Sequence, residues 1–392
     1  MKSMNWKIST LALTVGMSIL TSCSNDDDPI IGNGEDNETN ETIVENYGTL
    51  EGSITSDITL KSGNTYYLNG EYIVKDGATL NIESGVKIIA QYDDRVDFIL
   101  IEQGGKINAQ GTIESPIVMT SSKEEPGAWG GIHICGKAHT NAEGGKGSSE
   151  IGGATYGGND DADNSGVLKY VRVEYTGYAF DEEHEANGIS FYGVGNGTTV
   201  ENCEAYKGSD DGFEFFGGSV NIKNMVVVSC SDDSFDWTEG WNGKGENLVA
   251  FQEAENTLGY DCDCLIEADN NENNYSATPV SHPVLKNLIL MGNGGSKQGV
   301  RLRRGTEVEI DNAQIGGKGL TLAVESTETE NALKNGTSKI AHTSISGTLD
   351  SKEGIYTNEL FISAGNEDGQ SFAYHTLTDI ANECTWMKGW TK

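Results

Sequence analysis

Between Asn187 and Leu302 the chain returns again and again to one short alternation of apolar and polar positions. Ile189-Ser190-Phe191, Phe213-Glu214-Phe215, Phe235-Asp236-Trp237, Ile266-Glu267-Ala268 and Val300-Arg301-Leu302 each place a mostly polar residue between two apolar ones. A period of two belongs to a strand with one face in a core. Gly, Asn and Asp break each alternation before it runs long, which is turn chemistry. The pattern predicts many short strands joined by tight turns, and no convincing amphipathic helix after residue 23.

The alternations recur at a fixed interval. "SDDGFEFFGG" from Ser209 is followed 22 residues later by "SDDSFDWTEG" from Ser231. "NGISFYGVG" from Asn187 aligns with "DGFEFFGGS" from Asp211 at an offset of 24. "VENCEAY" from Val200 aligns with "IKNMVVV" from Ile222, and "KNMVVV", "ENLVAF" and "KNLILM" repeat the phrase from Lys223, Glu246 and Lys286. A looser version occupies the N-terminal half, in "DGATLNIESGVKI" and "QGGKINAQGTIES". A unit of about 22 to 24 residues cannot bury a core alone, but stacked units can. Three short strands per unit are the parameters of a right-handed parallel β-helix. The LxxLxLxxN skeleton of a leucine-rich repeat and the ~40-residue blade of a propeller are both absent.

Stacking the units turns the repeat into a prediction about charge. If Phe213 and Phe215 face the core, Glu214 faces out, and the outward column reads Ser190, Glu214, Asp236, Glu267, Arg301. At the preceding turns lie Asn187, Asp210, Asp211, Asp232 and Asp233. Successive coils sit ~4.8 Å apart, where two like charges repel by roughly 3.5 kcal/mol at an effective dielectric of 20. Such a ladder needs compensation by a cation, by backbone N–H groups, by Arg301 or by protonation. Glu214, Asp236, Glu267, Asp211 and Asp233 are therefore the candidate metal ligands, and hard oxygen donors suit Ca²⁺. Asp210 and Asp232 read equally well as turn formers. The rings of Phe213, Phe215 and Phe235 read as core, and so for the most part does Trp237, on the same inward side of its alternation. Trp237, Glu239 and Trp241 are the candidate ligand-binding residues, with Trp241 in "TEGWNGKG" expected on a loop as a stacking surface for a sugar.

Composition sharpens this picture. Glycine supplies 51 of 392 residues, against a usual ~7%, and only five prolines occur. The net charge of −34 argues against nucleic acid as a partner. The first 23 residues, "MKSMNWKISTLALTVGMSILTSC", carry two lysines, a mostly apolar stretch and then "LTSC". These are the marks of a secretion signal with a lipobox, with Cys23 as the lipid-bearing first residue of the mature chain. The apolar stretch is shorter than the ~20 residues of a membrane span. Three expected segments follow: a signal at 1–22, a lipidated Cys and acidic linker at 23–47, and a β-helix at 48–392. Six Cys remain after Cys23, and six allow 15 pairings; buried or disulfide-bonded Cys is the expectation, since "DCDC" at Asp261–Cys264 lacks the partners of a zinc set.

Asp26, Asp27 and Asp28, just after Cys23, resemble the export signal of Bacteroidota surface lipoproteins. The ordered motifs "DGATLNIESGVKI", "EQGGKINAQGTIESPIVMTSS", "PGAWGGIHICGKA", "SGVLKYVRVEYTG" and "GVGNGTTVENCEAYKGSDDGFEFFGGSVNIKN" resemble β-helix lipoproteins of Bacteroidota and marine bacteria over residues 48–392. The resemblance implies the fold and a lipid-anchored, outward-facing place on the outer membrane. It brings no assigned reaction, and some members are thought to accompany TonB-dependent receptors. The residues themselves leave three functions open. One is a ligand-binding surface protein, for a glycan or a metal-associated nutrient. Another is a Ca²⁺-dependent polysaccharide lyase or hydrolase, with Arg301, Asp236 and Glu214 as candidate catalytic residues. The third is a structural surface protein. The calcium-dependent lyases use an Arg or Lys to take the proton, and Arg303 and Arg304 add positive charge beside Arg301, but the longer lyase signatures are absent. Polygalacturonases also carry paired Asp, but their Gly-His-Gly step is missing and "RLRRG" only echoes their Arg-x-Lys step. His184 is the one His close to the column.

Overall fold

Each turn of the chain is three short strands wound into a coil, and every coil hydrogen-bonds in parallel to the next. The structure, a computed structural model, describes residues 42–44, 48–180, 185–372 and 374–392. The lipobox Cys23, the export signal after it and His184 lie outside the described residues. The compact unit is Glu41–Lys392, a parallel β-helix as the repeat predicts. Among the described residues, no helix is long and apolar enough to cross a membrane.

The register follows the repeat residue by residue. Ile189 pairs with Phe213 and Phe191 with Phe215; Phe213 pairs with Phe235 and Phe215 with Trp237. Ile266 continues below Phe235, and Val300 below Ile266, despite the insertions that separate them in sequence. The second ladder stacks Thr199–Tyr206, Asn221–Val228, Lys244–Phe251, Val284–Met291 and Glu309–Gly316.

Each of these eight-residue strands bends in its middle at an asparagine of positive φ: Asn202, Asn224, Asn247, Asn287 and Asn312, at 56° to 63°. Asn reaches this left-handed region more readily than other side chains with a Cβ. The side-chain amides then bond one another from coil to coil, from Asn247 to Asn224 at 2.7 Å, Asn287 to Asn247 at 3.1 Å and Asn312 to Asn287 at 2.8 Å. One residue type therefore makes the corner and ties successive corners together. Gly188 and Gly212 stack at another corner, where a Cβ on Gly188 would stand 2.3 Å from the Gly212 carbonyl oxygen.

Inside the coils, like rings stack on like. Phe191 lies over Phe215 at 5.1 Å between centroids, and Phe213 over Phe235 at 5.9 Å. Trp241 stacks on Phe215 at 4.2 Å. The chain turns inward after Thr238, with Trp241 N–H donating to the Thr238 carbonyl at 3.3 Å. Trp237 and Trp241 are each only 1% exposed, which corrects their expected place in a ligand surface. Their indole N–H groups are satisfied inside, on Thr306 Oγ1 and the Val220 carbonyl. Glu239 is likewise internal in function: one carboxylate oxygen accepts from Thr140 at 2.7 Å and from Tyr156 at 2.8 Å.

Short helices do occur after residue 23, contrary to the expectation from the apolar pattern. Thr327–Asn335 closes a corner, and Leu377–Glu383 begins with a capping box on Thr376 and Asp379. Their few apolar residues are spread over too few turns to give a periodic signal. The C-terminal segment lays Tyr374, Ile380, Met387 and Trp390 over Val226, Val228, Val249 and Ile289 on the outside of the coils. All six Cys of the described chain are free thiols, and Cys384 alone among them is not fully buried.

A buried stack of this kind predicts that Trp241→Ala will destabilise the fold by about 3–5 kcal/mol, read as a lowered denaturant midpoint. A glycan affinity lost without that destabilisation would contradict the internal role of Trp241.

Candidate functional site: an acidic cleft on one face of the coils

Facing outward from the first strand of each coil is the column expected from the alternation. Ser190 pairs with Glu214, Glu214 with Asp236, Asp236 with Glu267 and Glu267 with Arg301. Two residues extend it upstream, Leu100 and His133. These are covered: Leu100 packs with Ile151 and Tyr156 of the segment that crosses this end, and burial depresses the His133 imidazole to about 4. The column meets solvent from Glu214 onward, through Asp236 and Glu267 to Arg301.

There the coils form a cleft of about 370 Å³ lined by Glu150, Glu185, Asn187, Asp210, Asp211, Glu214, Asp232, Asp233, Asp236, Asp263, Glu267, Arg301 and Arg303. Ten of these are carboxylates and two are cations. The turn and column carboxylates converge. Asp211, Glu214 and Asp236 bring one oxygen each within 4.8 Å of one another, as do Glu185, Asp210 and Asp232. Asp233, Cys264 and Glu267 form a third such group.

Compensation is uneven along the cleft. At one end Arg301 pairs with Glu267 at 2.9 Å and with Glu325 at 2.9 Å. Arg303 pairs with Glu267 and, at 2.7 Å, with Asp269. Lys297 holds Asp263 at 2.6 Å. In the middle the partners are neutral. Asn187 Nδ2 donates to Glu214 at 2.5 Å. Asp211 accepts from the Asp233 N–H at 2.9 Å, and Asp233 from the Cys264 N–H at 2.6 Å. These two carboxylates thus cap the backbone of the next coil, not their own turn. Asp236 Oδ1 is buried with no hydrogen-bond partner among the described residues.

Burial raises the carboxyls of Asp211, Glu214, Asp233 and Asp236 well above the usual range, and neighbouring carboxylates push them further. For Glu214 those neighbours are chiefly Glu150 and Asp236. Asp210 is raised in the same way by burial and by Asp232. Asp232 itself is lifted to about 6 by burial, Asp263 and Glu267. Glu267 is also raised by burial, although Arg303 and Arg301 pull it back.

The structure therefore brings together the five predicted metal-ligand candidates, with Glu267 tied to arginine, Asp211 and Asp233 bonded to backbone N–H groups, Glu214 bonded to a neutral amide, and one oxygen of Asp236 without a hydrogen-bond partner among the described residues. It keeps Trp237, Trp241 and Glu239 out of the cleft. Glu150, Glu185 and Asp263 line it as well, and Cys264 lies buried beside Asp233 and Glu267. They come from loops and from the insertion before Ile266, where no repeat marks their position.

The raised carboxyls fix the sign of a pH effect. A carboxyl whose folded value exceeds its unfolded value binds more protons when folded, so its contribution to stability falls as pH rises. For Asp232 that fall spans pH 3.8 to about 6. Asp236→Asn removes one charge from the cluster. In chelator-treated protein its gain in melting temperature over the wild type is expected to be small at pH 4 and to grow toward pH 7. A gain that is flat or shrinks over this range would show that the cluster is compensated internally.

Residues 52–391 match a family described as a pectate-lyase-like β-helix domain. No curated protein matches the chain. With nearly all of its described coils inside that match, this chain belongs to the family of pectate-lyase-like β-helix domains.

Proposed function

We propose that this protein is a cation-loaded, glycan-binding β-helix, carried on the outer face of the outer membrane by a lipid on Cys23 and serving an uptake system built on a TonB-dependent receptor. The observation that carries the binding part is Asp236 Oδ1, unpartnered among the described residues and buried beside Glu214 and Asp211. A buried carboxylate oxygen without a donor is costly, and a cation at that point would satisfy it together with its neighbours. All donors in this group are hard oxygens. Flexible sites of several carboxylates suit Ca²⁺ better than the strict octahedron of Mg²⁺. Asp211, Glu214 and Asp236 would hold one ion, and Glu185, Asp210 and Asp232 offer a second set. A bound cation would also reverse the local field, so that an acidic polymer could approach a cleft that otherwise repels it.

The surface location rests on the lipobox at Cys23 and on the aspartates that follow it. The uptake role rests on the family resemblance of the chain.

A lyase requires a group that takes a proton from the sugar. Arg301 is poorly suited, because Glu325 and Glu267 both hold its guanidinium in the charged form and raise its pKa. Binding without turnover is thus the reading the geometry favours.

Calorimetry on chelator-treated protein is the direct test. Ca²⁺ is expected to bind with a stabilising thermal shift, and Asp236→Asn to weaken it by about tenfold or more, the equivalent of one lost charged contact at ~1.5–3 kcal/mol. Neither heat nor thermal shift would remove the cation from the proposal. Incubation with uronate polysaccharides, followed by ultraviolet absorbance of unsaturated ends, should show no product; accumulation of product would make the protein a lyase.

A further inference from the structure

Arg301 and Arg303 line two hollows. One is the acidic cleft; the other, about 330 Å³, is bordered by Tyr275, Arg304, Lys352 and two carboxylates, Glu325 and Glu353. Tyr275 is 40% exposed, whereas Trp237 and Trp241 are sealed in the core. Its loop is firmly held. Asn270, itself fully buried, donates from Nδ2 to the carbonyls of Tyr275 at 3.1 Å and Ala277 at 3.0 Å. Its Oδ1 accepts from Ser281 N–H at 2.8 Å. Gly305 passes against the same backbone: its φ is +84°, and a Cβ there would stand 1.9 Å from the Tyr275 carbonyl oxygen. The chain thus fixes an aromatic ring in water, beside a hollow, by pinning the backbone that carries it.

The cations around this hollow differ in what they have left to give. Arg301 spends its guanidinium on Glu325 and Glu267, and Arg303 on Asp269 and Glu267. Arg304 makes one close bond, to Asp269 at 2.8 Å, and otherwise stands 3.8 Å from an exposed Glu272. Lys352 reaches Glu325 only at 3.5 Å, with 63% of its side chain exposed. A guanidinium has five N–H donors and an ammonium three, so Arg304 and Lys352 keep donors for a ligand.

We propose that Tyr275, Arg304 and Lys352 form a saccharide subsite at the cationic end of the cleft, where a sugar ring stacks on Tyr275 and its carboxylate or sulfate meets Arg304 and Lys352. An amphipathic ring held rigidly suits a ligand that is apolar on one face and polar at its edge. Cations with spare donors beside it select for an anionic sugar. The subsite rests on the reading of the neighbouring cleft as a cation-loaded glycan site. It supplies the aromatic platform that the buried tryptophans cannot.

The test uses oligogalacturonate, a sulfated oligosaccharide and neutral cellohexaose, titrated calorimetrically into Ca²⁺-saturated protein, with Ca²⁺ binding measured separately. One anionic probe is expected to bind and cellohexaose to bind much more weakly. Tyr275→Ala should weaken the anionic probe by about tenfold, Tyr275→Phe should retain it, and Arg304→Ala with Lys352→Ala should weaken it again. Ca²⁺ binding should be the same in all variants. Undiminished binding by Tyr275→Ala overturns the subsite and leaves the cation site standing. Absence of wild-type binding to every probe, with Ca²⁺ bound, overturns the subsite and the glycan part of the proposed function together. Absence of Ca²⁺ binding overturns the reading of the cleft itself, while a Tyr275-dependent anionic probe would still uphold the subsite.

Discussion

In a parallel β-helix each residue lies directly over its counterpart in the next coil, at the spacing of hydrogen-bonded strands. Everything distinctive about this chain follows from that one register. Whatever occupies a position is forced against its own kind ~4.8 Å away. Rings stack on rings in the interior, and corner asparagines bond corner asparagines. The same rule that is favourable for phenylalanine and asparagine is unfavourable for carboxylates. It places Glu214 over Asp236 and Asp236 over Glu267.

The protein resolves that conflict differently along its length. Where the column reaches Glu267, arginines from the following coil complete ion pairs on both sides. On the two coils before it, Asp211 and Asp233 turn part of their charge to use by accepting backbone N–H groups of the next coil. On those same coils Asp236 keeps a buried oxygen unmatched among the described residues, and Glu214 accepts from a neutral amide. A solenoid could relieve this with one Asn or Lys on the outward face. Retaining the carboxylates leaves buried like charge at Glu214 and Asp236 that no arginine ion pair relieves among the described residues.

The repeat was legible because its physics is local to each coil and then copied. Ile189-Ser190-Phe191 and Phe213-Glu214-Phe215 show in three letters which side is in and which is out. Even the distant pairing of Glu267 with Asp236 and Arg301 survived the insertions, since Ile266 and Val300 still had to meet the core. Trp237 followed the inward side of its alternation, but Trp241 was not legible. In "TEGWNGKG" the glycines signal a loop, but nothing local says that the loop turns inward and stacks Trp241 on Phe215. Tyr275 had the opposite fate. It sits in an insertion with no repeat, and only Asn270 and Gly305, far apart in the chain, fix where its ring stands.

The sequence alone determined the coil length, the inward and outward faces, the order of the acidic column and the chemistry of its donors, because each depends on neighbours one or two residues away or one coil away. Tertiary structure decided which carboxylates are compensated and which are not, which aromatics are core and which meet water, and that Glu150, Glu185 and Asp263 join the cleft. Those outcomes depend on loops folding over the stack from unrelated positions. Burial and charge pairing depend on every atom within a few ångströms, whatever its distance along the chain.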